Sequence, residues 1–152
     1  MLKRFIVALF LFIGLFTLDQ YIKSIFVDGF VWHSQCISLI LAYNKGVAFS
    51  MFAFLADNLK YIQLSILVVA ILYLWLNKNI FKDYYIAISL LFAGGLSNIY
   101  DRFIHDGVVD YVYWHCWFDF AIFNFADVII DIAVVLILFI SYKKEKSLAN
   151  NS

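Results

Sequence analysis

The sequence predicts an α-helical integral membrane protein with four transmembrane helices. A small β-rich extracytoplasmic platform is expected in the connections between helices 1 and 2 and between helices 3 and 4. Composition is the first observation behind this reading. Of 152 residues, 65% are hydrophobic and only 14% charged, against about 45–50% and about 25% in an ordinary soluble domain, and mean hydropathy is +0.89. The second is arrangement: the apolar residues form four runs suited to a bilayer core about 30 Å thick. The third is charge, because the basic clusters between those runs all fall on one side of the resulting path. The length suits a single membrane-embedded domain over residues 1–152.

The first run, about 5–26, is free of charge from Phe5 as far as Leu18. Lys3 and Arg4 ahead of an apolar run also resemble the start of a secretory signal peptide. No small-x-small cleavage site follows, and the chain continues into Asp19-Gln20-Tyr21-Ile22-Lys23, so the run is read as a permanent helix. The second and third runs, about 61–77 and 84–100, carry no charged side chain, and the fourth, about 120–142, is interrupted by Asp127 and Asp131. Lys3 and Arg4 precede the first helix, Lys78 and Lys82 lie between the second and third, and Lys143, Lys144 and Lys146 follow the fourth. The positive-inside rule makes that side cytoplasmic, with both termini on it.

Two longer segments then face outward. Asp28–Lys60 contains the strand-like Ser38-Leu39-Ile40-Leu41-Ala42-Tyr43 and the apolar Val47–Ala56, which is too short to span. Asp101–Ala121 alternates with period two over Val109-Asp110-Tyr111-Val112-Tyr113. Trp32, Trp114 and Trp117 fall in these segments, as in an aromatic belt at the outer interface.

Several functional classes drop out. Eleven basic residues balance eleven acidic ones, which leaves no basic excess for nucleic acid. His33, His105 and His115 form no H-E-x-x-H, and no Ser-His-Asp order suggests itself, so neither a zinc site nor a serine nucleophile is expected. Cys36 and Cys116 have no metal-ligand spacing. Both face the outer compartment, which permits a disulfide, but nothing fixes their separation and independent free thiols are expected.

The acids within the spans need an explanation, since a carboxylate at mid-membrane costs about 2.5–3.5 kcal/mol on insertion scales. The third helix runs outward and ends Asn98-Ile99-Tyr100-Asp101-Arg102; the fourth runs inward and begins Asn124-Phe125-Ala126-Asp127. Each contains Asn-x-x-Asp, with amide and carboxylate on one helical face. Because the helices are antiparallel, Asp101 and Asp127 arrive at similar depth near the outer surface. A pair of close carboxylates retains one proton near neutral pH. Its ionised member takes a proton from water attacking a carbonyl, and its protonated member polarises that carbonyl. The helix dipole favours charge on Asp127 and disfavours it on Asp101, with Arg102 placed to cancel the second effect. Asp19 and Lys23, at i and i+4, fit equally an ion bridge fixing the bundle or a direct substrate contact. Asp131, one turn deeper than Asp127, is expected to be buried and hydrogen-bonded, and Gly94-Gly95 to mark a close helix contact. A proton-coupled transporter would use the same acids as a relay. The pair at the rim rather than the midplane, without a second set of interrupted helices, argues against it.

Five segments in order resemble the type II, or lipoprotein, signal peptidases. They are Asp19-Gln20-Tyr21-Ile22-Lys23; Asn44-Lys45-Gly46-Val47-Ala48-Phe49-Ser50; Gly94-Gly95-Leu96-Ser97-Asn98-Ile99-Tyr100-Asp101-Arg102; Gly107-Val108-Val109-Asp110-Tyr111; and Phe123-Asn124-Phe125-Ala126-Asp127. The resemblance implies an aspartic protease of the bacterial inner membrane, without metal or other cofactor, acting near the outer leaflet. Its substrates would be diacylated prolipoproteins, cut just before the lipidated cysteine, with membrane lipids as the other partners and a monomer expected. It also implies Asp101 and Asp127 as the catalytic pair, and Asp19, Lys23, Asn44, Gly46, Asn98, Arg102 and Asn124 as substrate-binding residues. Asn44–Ala56 is expected to act as a flap over the substrate. The loop Trp114-His115-Cys116-Trp117 matches no motif of the family.

The orientation is open to a direct test by single-cysteine labelling in a background lacking Cys36 and Cys116. Positions 45 and 106 should react with an impermeant reagent from outside intact cells, and position 80 should be protected. Labelling at 80 but not at 45 would invert the orientation.

Overall fold

The computed structural model describes residues 1–46, 55–105 and 107–150. In chain order its elements are helix α1 (Leu2–Val27), strands β1 (Trp32–His33) and β2 (Ile37–Asn44), helices α2 (Ala56–Leu76) and α3 (Lys78–Ile104), strand β3 (Val108–Trp114) and helix α4 (Phe125–Ala149). Among the described residues, four helices are long and apolar enough to cross a membrane. At 1.5 Å per residue α2, with 21 residues, is about 31 Å long and just matches a bilayer core, while the others exceed it by a turn or more.

α3 is the least apolar of the four and the most buried, and it packs against α1, α2 and α4. Lipid gives apolar helix faces no reason to leave it, so helix association depends on close packing and polar contacts. Both are present on α3. Ala87, Ala93 and Gly94 are buried on α3, and Ala126, Ile129 and Ala133 are buried on α4. A Cβ at Gly94 would stand 2.6 Å from the Ala126 carbonyl oxygen and 2.8 Å from Ile130 Cγ1. Gly94 therefore makes the expected close contact. Gly95 does not: no described residue lies within 4 Å of its Cβ position. The outward faces of α2 carry exposed Val69, Leu72 and Trp75, as lipid-facing surfaces do.

Several helix boundaries differ from expectation, with α2 starting at Ala56 and α4 ending at Ala149, and the starts of α3 and α4 have identifiable causes. α3 begins at Lys78, directly after Asn77, whose N–H and Nδ2 both donate to the Tyr73 carbonyl. Lys78 and Lys82 thus occupy the first turns of α3 rather than a loop. Arg4 Nη1 donates to the Lys82 carbonyl at 2.7 Å, and Lys144 pairs with Asp83, so the basic clusters gather at one end of the bundle. α4 begins at Phe125 and not near Phe120, because Asn124 caps it. The Asn124 side chain accepts from Asp127 N–H while the Asp127 carboxylate accepts from Asn124 N–H. The apolar residues before the cap pair with β3 instead, through Val112 N–H to the Phe123 carbonyl at 2.8 Å and the reciprocal bond at 3.1 Å.

At the other end of the bundle the strands form an antiparallel sheet in the order β1-β2-β3, with Ile37 opposite Trp114 and Asn44 opposite Val108. Both strand-like segments of the sequence are strands of this sheet. Its inner end is buried on both faces from Val108 to Tyr111. The Tyr111 ring stacks on Phe26 of α1 with centroids 4.2 Å apart, and its hydroxyl accepts from Phe125 N–H at 3.0 Å. One tyrosine thus docks the sheet to the ends of two helices. Cys36 and Cys116 form a disulfide, contrary to the expected free thiols. The β2–β3 ladder closes their separation of 80 residues, and His115 N–H donates to the Cys36 carbonyl at 2.9 Å. Most of Val47–Ala56, and with it the expected flap, lies outside the described residues, as does Asp106.

Candidate active site

The sheet end of the bundle collects polar side chains that lipid would otherwise exclude. Asp19, Lys23, Asp101, Arg102, Asp110 and Asn124 are all buried. Lys23 Nζ lies 2.7 Å from Asp19 Oδ2, 2.7 Å from Asp101 Oδ2 and 2.9 Å from Asn98 Oδ1. Asp19 also accepts from Ser97 Oγ at 2.6 Å and from Ala126 N–H at 2.8 Å, so it joins α1 to both α3 and α4. This is the ion bridge, one of the two readings the Asp19–Lys23 spacing allowed, extended to a second acid. Neither residue reaches the cavity wall described below.

Asp101 accepts from three donors: Lys23 Nζ, Gln20 Nε2 at 2.8 Å and Val109 N–H at 3.1 Å. The cation paired with it is therefore Lys23 and not Arg102. The Arg102 guanidinium instead donates to the carbonyls of Gly46 and, at 3.4 Å, Lys45, holding the end of β2 against α3. Gly46 N–H in turn donates to Asn44 Oδ1 at 3.0 Å. Asp127, at the capped start of α4, accepts from Asn98 Nδ2 at 2.9 Å and Asn124 N–H at 3.1 Å. Asp101 and Asp127 are thereby connected through Lys23 and Asn98.

Below this cluster lies a cavity of about 680 Å³ between α2, α3, α4 and the sheet. Asn44, Asn98, Arg102, Asp110 and Asp127 give it a polar head, and Ile66, Leu67, Leu91 and Phe92 give it apolar walls. Of the residues expected to bind substrate, Asn44, Asn98 and Arg102 reach the cavity. Asp19, Lys23, Gly46 and Asn124 stand behind it. Asp101 is likewise set back, 1% exposed. Asp131 differs from expectation: it is exposed, lines the cavity, and makes no hydrogen bond or ion pair with any described residue.

Sequence reasoning missed three residues here. Gln20 and Ser97 sit inside quoted motifs but carry no charge to flag them, yet they tie α1 to α3 through a 2.7 Å hydrogen bond. Asp110 carried a legible signal, an acid in the strand Val109–Tyr113. It accepts from Asn124 Nδ2 at 2.7 Å and Asn44 Nδ2 at 3.1 Å. Burial pushes its carboxyl up to about 7, helped by the Asp127 charge and opposed by those two hydrogen bonds and by Lys23.

An acid raised in the folded state keeps a proton that the unfolded chain, ionising near pH 4, has already released. Its contribution to stability is full below about pH 4 and lost as pH rises to about 7. Thermal unfolding in detergent should show the melting temperature of Asp110→Asn falling less than that of the parent over this window. Parallel curves for the two proteins would exclude Asp110 as the source.

The arrangement has recognisable relatives. The family model for signal peptidase (SPase) II matches residues 11–143. The lipoprotein signal peptidase of Sulfurimonas denitrificans is 61% identical over 131 residues, covering 86% of this chain and 84% of that protein. The lipoprotein signal peptidase of Wolinella succinogenes is 56% identical over 139 residues, covering 91% of this chain and 95% of that one. A bacterial membrane enzyme solved at 2.3 Å by the in meso method superposes with a TM-score of 0.78 at 27% identity, over 93% of this chain and 90% of that one. With its four helices, its sheet and its buried acids, the chain belongs to the signal peptidase II family, whose members cleave signal peptides from prolipoproteins.

Proposed function

We propose that this chain is an intramembrane aspartic endopeptidase that removes the signal peptide from diacylglyceryl-modified prolipoproteins. It cuts before the lipidated cysteine, using water activated by Asp101 and Asp127. The observation that carries this reading is the linkage of those two acids through Lys23 and Asn98, with Asp127 at the head of a cavity with apolar walls and Asp101 set back from it. A lipid-modified peptide matches such a cavity: its acyl chains suit the exposed apolar helix faces, and its scissile amide suits the polar head.

Apart from the attacking water, the proposed chemistry uses this chain's own carboxyl groups. The ionised acid of the pair takes a proton from water as the water oxygen bonds to the scissile carbonyl carbon, and the protonated acid donates a hydrogen bond to the carbonyl oxygen. Collapse of the tetrahedral intermediate breaks the C–N bond, and the proton passes to the departing amine. Asn98 and Asn124 orient the Asp127 carboxylate, and Lys23, Gln20 and Val109 N–H orient that of Asp101. Arg102 holds the Asn44–Gly46 turn beside the cavity.

The proposed setting is the bacterial inner membrane, with a monomer in contact with lipid and both termini in the cytoplasm. The basic residues gathered at the end of the bundle away from the sheet support that orientation. The acids then stand near the outer leaflet, at the depth where a lipid-anchored substrate presents its scissile bond.

The test is a gel-shift assay of purified protein on a diacylated prolipoprotein. Asp101→Asn and Asp127→Asn should each abolish nearly all cleavage, and the double variant should be little worse than either, because the pair acts as a unit. Rate against pH should be bell-shaped, with both apparent constants belonging to the pair. Membrane insertion and retained binding of an uncleaved analogue separate lost chemistry from lost folding. Substantial cleavage by folded Asp127→Asn would refute the pair.

A further inference from the structure

Asp131 is not explained by the machinery above. It follows Asp127 by four residues on α4, so the two share a helix face, and both line the cavity. Six residues into α4, it stands about 9 Å beyond the helix start, a costly depth for an ionisable group unless it faces a cavity with something to bind. It is exposed there and has no hydrogen-bonding or ionic partner among the described residues. From α2, Gln63 lines the same cavity, and its Oε1 is buried without a hydrogen-bond partner among the described residues. On α3, the Cβ position of Gly95 has no described residue within 4 Å, and Gly95 too lines the cavity. Two unpartnered polar groups from different helices thus share a space whose α3 wall is left open by a glycine.

What these groups would bind follows from their chemistry. Carboxyl oxygens accept hydrogen bonds in either protonation state, and an amide oxygen only accepts. The orphan Gln63 Oε1 and an ionised Asp131 therefore both call for a donor. Acyl chains and glyceryl esters offer no donor; a peptide does. A signal peptide crossing the membrane as a helix satisfies its own N–H groups, but a scissile carbonyl becomes open to attack only where that helix unwinds. Each residue unwound frees an N–H in a place without water to receive it.

We propose that Asp131 and Gln63 form a second polar station in the cavity, one helical turn below Asp127. It accepts backbone N–H groups of the signal peptide where the peptide unwinds for cleavage. The assignment rests on the proposed peptidase activity and names two positioning residues for its substrate. Gly95 contributes by absence, since a side chain there would project into the space the extended peptide needs.

An amide-to-ester scan tests this. A diacylated lipopeptide substrate is prepared with each backbone amide in the turn upstream of the scissile bond replaced in turn by an ester, which removes one N–H and little else. Asp131→Ala should lower kcat/KM about tenfold and Asp131→Asn, which keeps an acceptor, should restore most of it. One ester position should cost the parent enzyme about tenfold and cost Asp131→Ala nothing further. Gln63→Leu, on a different helix, should show the same position-specific loss of sensitivity, which a folding defect would not produce. Equal ester penalties in the parent and both variants, with the parent cleaving the all-amide peptide, would overturn the station alone. A parent enzyme that fails to cleave the all-amide peptide would overturn the activity and the station with it.

Discussion

Lys23 Nζ stands 2.7 Å from carboxylate oxygens of both Asp19 and Asp101 and 2.9 Å from Asn98 Oδ1, with only 2% of the side chain exposed. Three helices meet at this ammonium, directly through α1 and α3 and, through Asp19 and the Ala126 N–H, at the start of α4. In water such a trio would add little, because exposed ion pairs are worth about 0–1 kcal/mol. Here neither acid has solvent to fall back on, and stranding a buried charge costs about 3–5 kcal/mol. The same atoms that hold the helices together also fix the carboxylate of Asp101. Stability and candidate chemistry share one set of contacts.

That sharing explains the shape of the site. A chain that must keep its acids unsolvated can either bury them behind partners or open them to a cavity, and this one does both. Asp19 and Asp101 are set back, while Asp110, Asp127 and Asp131 face the cavity. The sheet is what makes the division possible. Tyr111 pins it to α1 and α4, Val109 supplies an N–H to Asp101, and Asp110 brings an acid that no transmembrane helix carries. A four-helix bundle without the sheet would leave the ends of α3 and α4 unroofed.

The helices were legible in the sequence because a bilayer imposes a length filter on apolar runs that few other constraints imitate. Their ends were less so. Phe120–Phe123 is as apolar as a helix start, and only the reciprocal cap between Asn124 and Asp127 shows that the helix begins after it. The approach of Asp101 and Asp127 followed from antiparallel helices bearing the same Asn-x-x-Asp spacing. The cation beside Asp101 did not follow, because sequence adjacency suggested Arg102 while the fold brings Lys23 across from α1. Spacing told which face Asp131 occupies but not that the α3 wall at Gly95 has no described residue against it. The Cys36–Cys116 bond was hidden for a related reason: a strand register, not a spacing, brings the two together.

The role given to Lys23 is most directly tested by a double-mutant cycle on Asp19 and Lys23, read by reversible unfolding of the purified protein in detergent. Lys23→Met alone strands two buried acids and should cost about 3–5 kcal/mol. Adding Asp19→Asn removes one of them, so the double variant should be more stable than the sum of the single effects, by well over about 0.5 kcal/mol. Additive losses, or a Lys23→Met protein as stable as its parent, would contradict a structure organised around one buried cation.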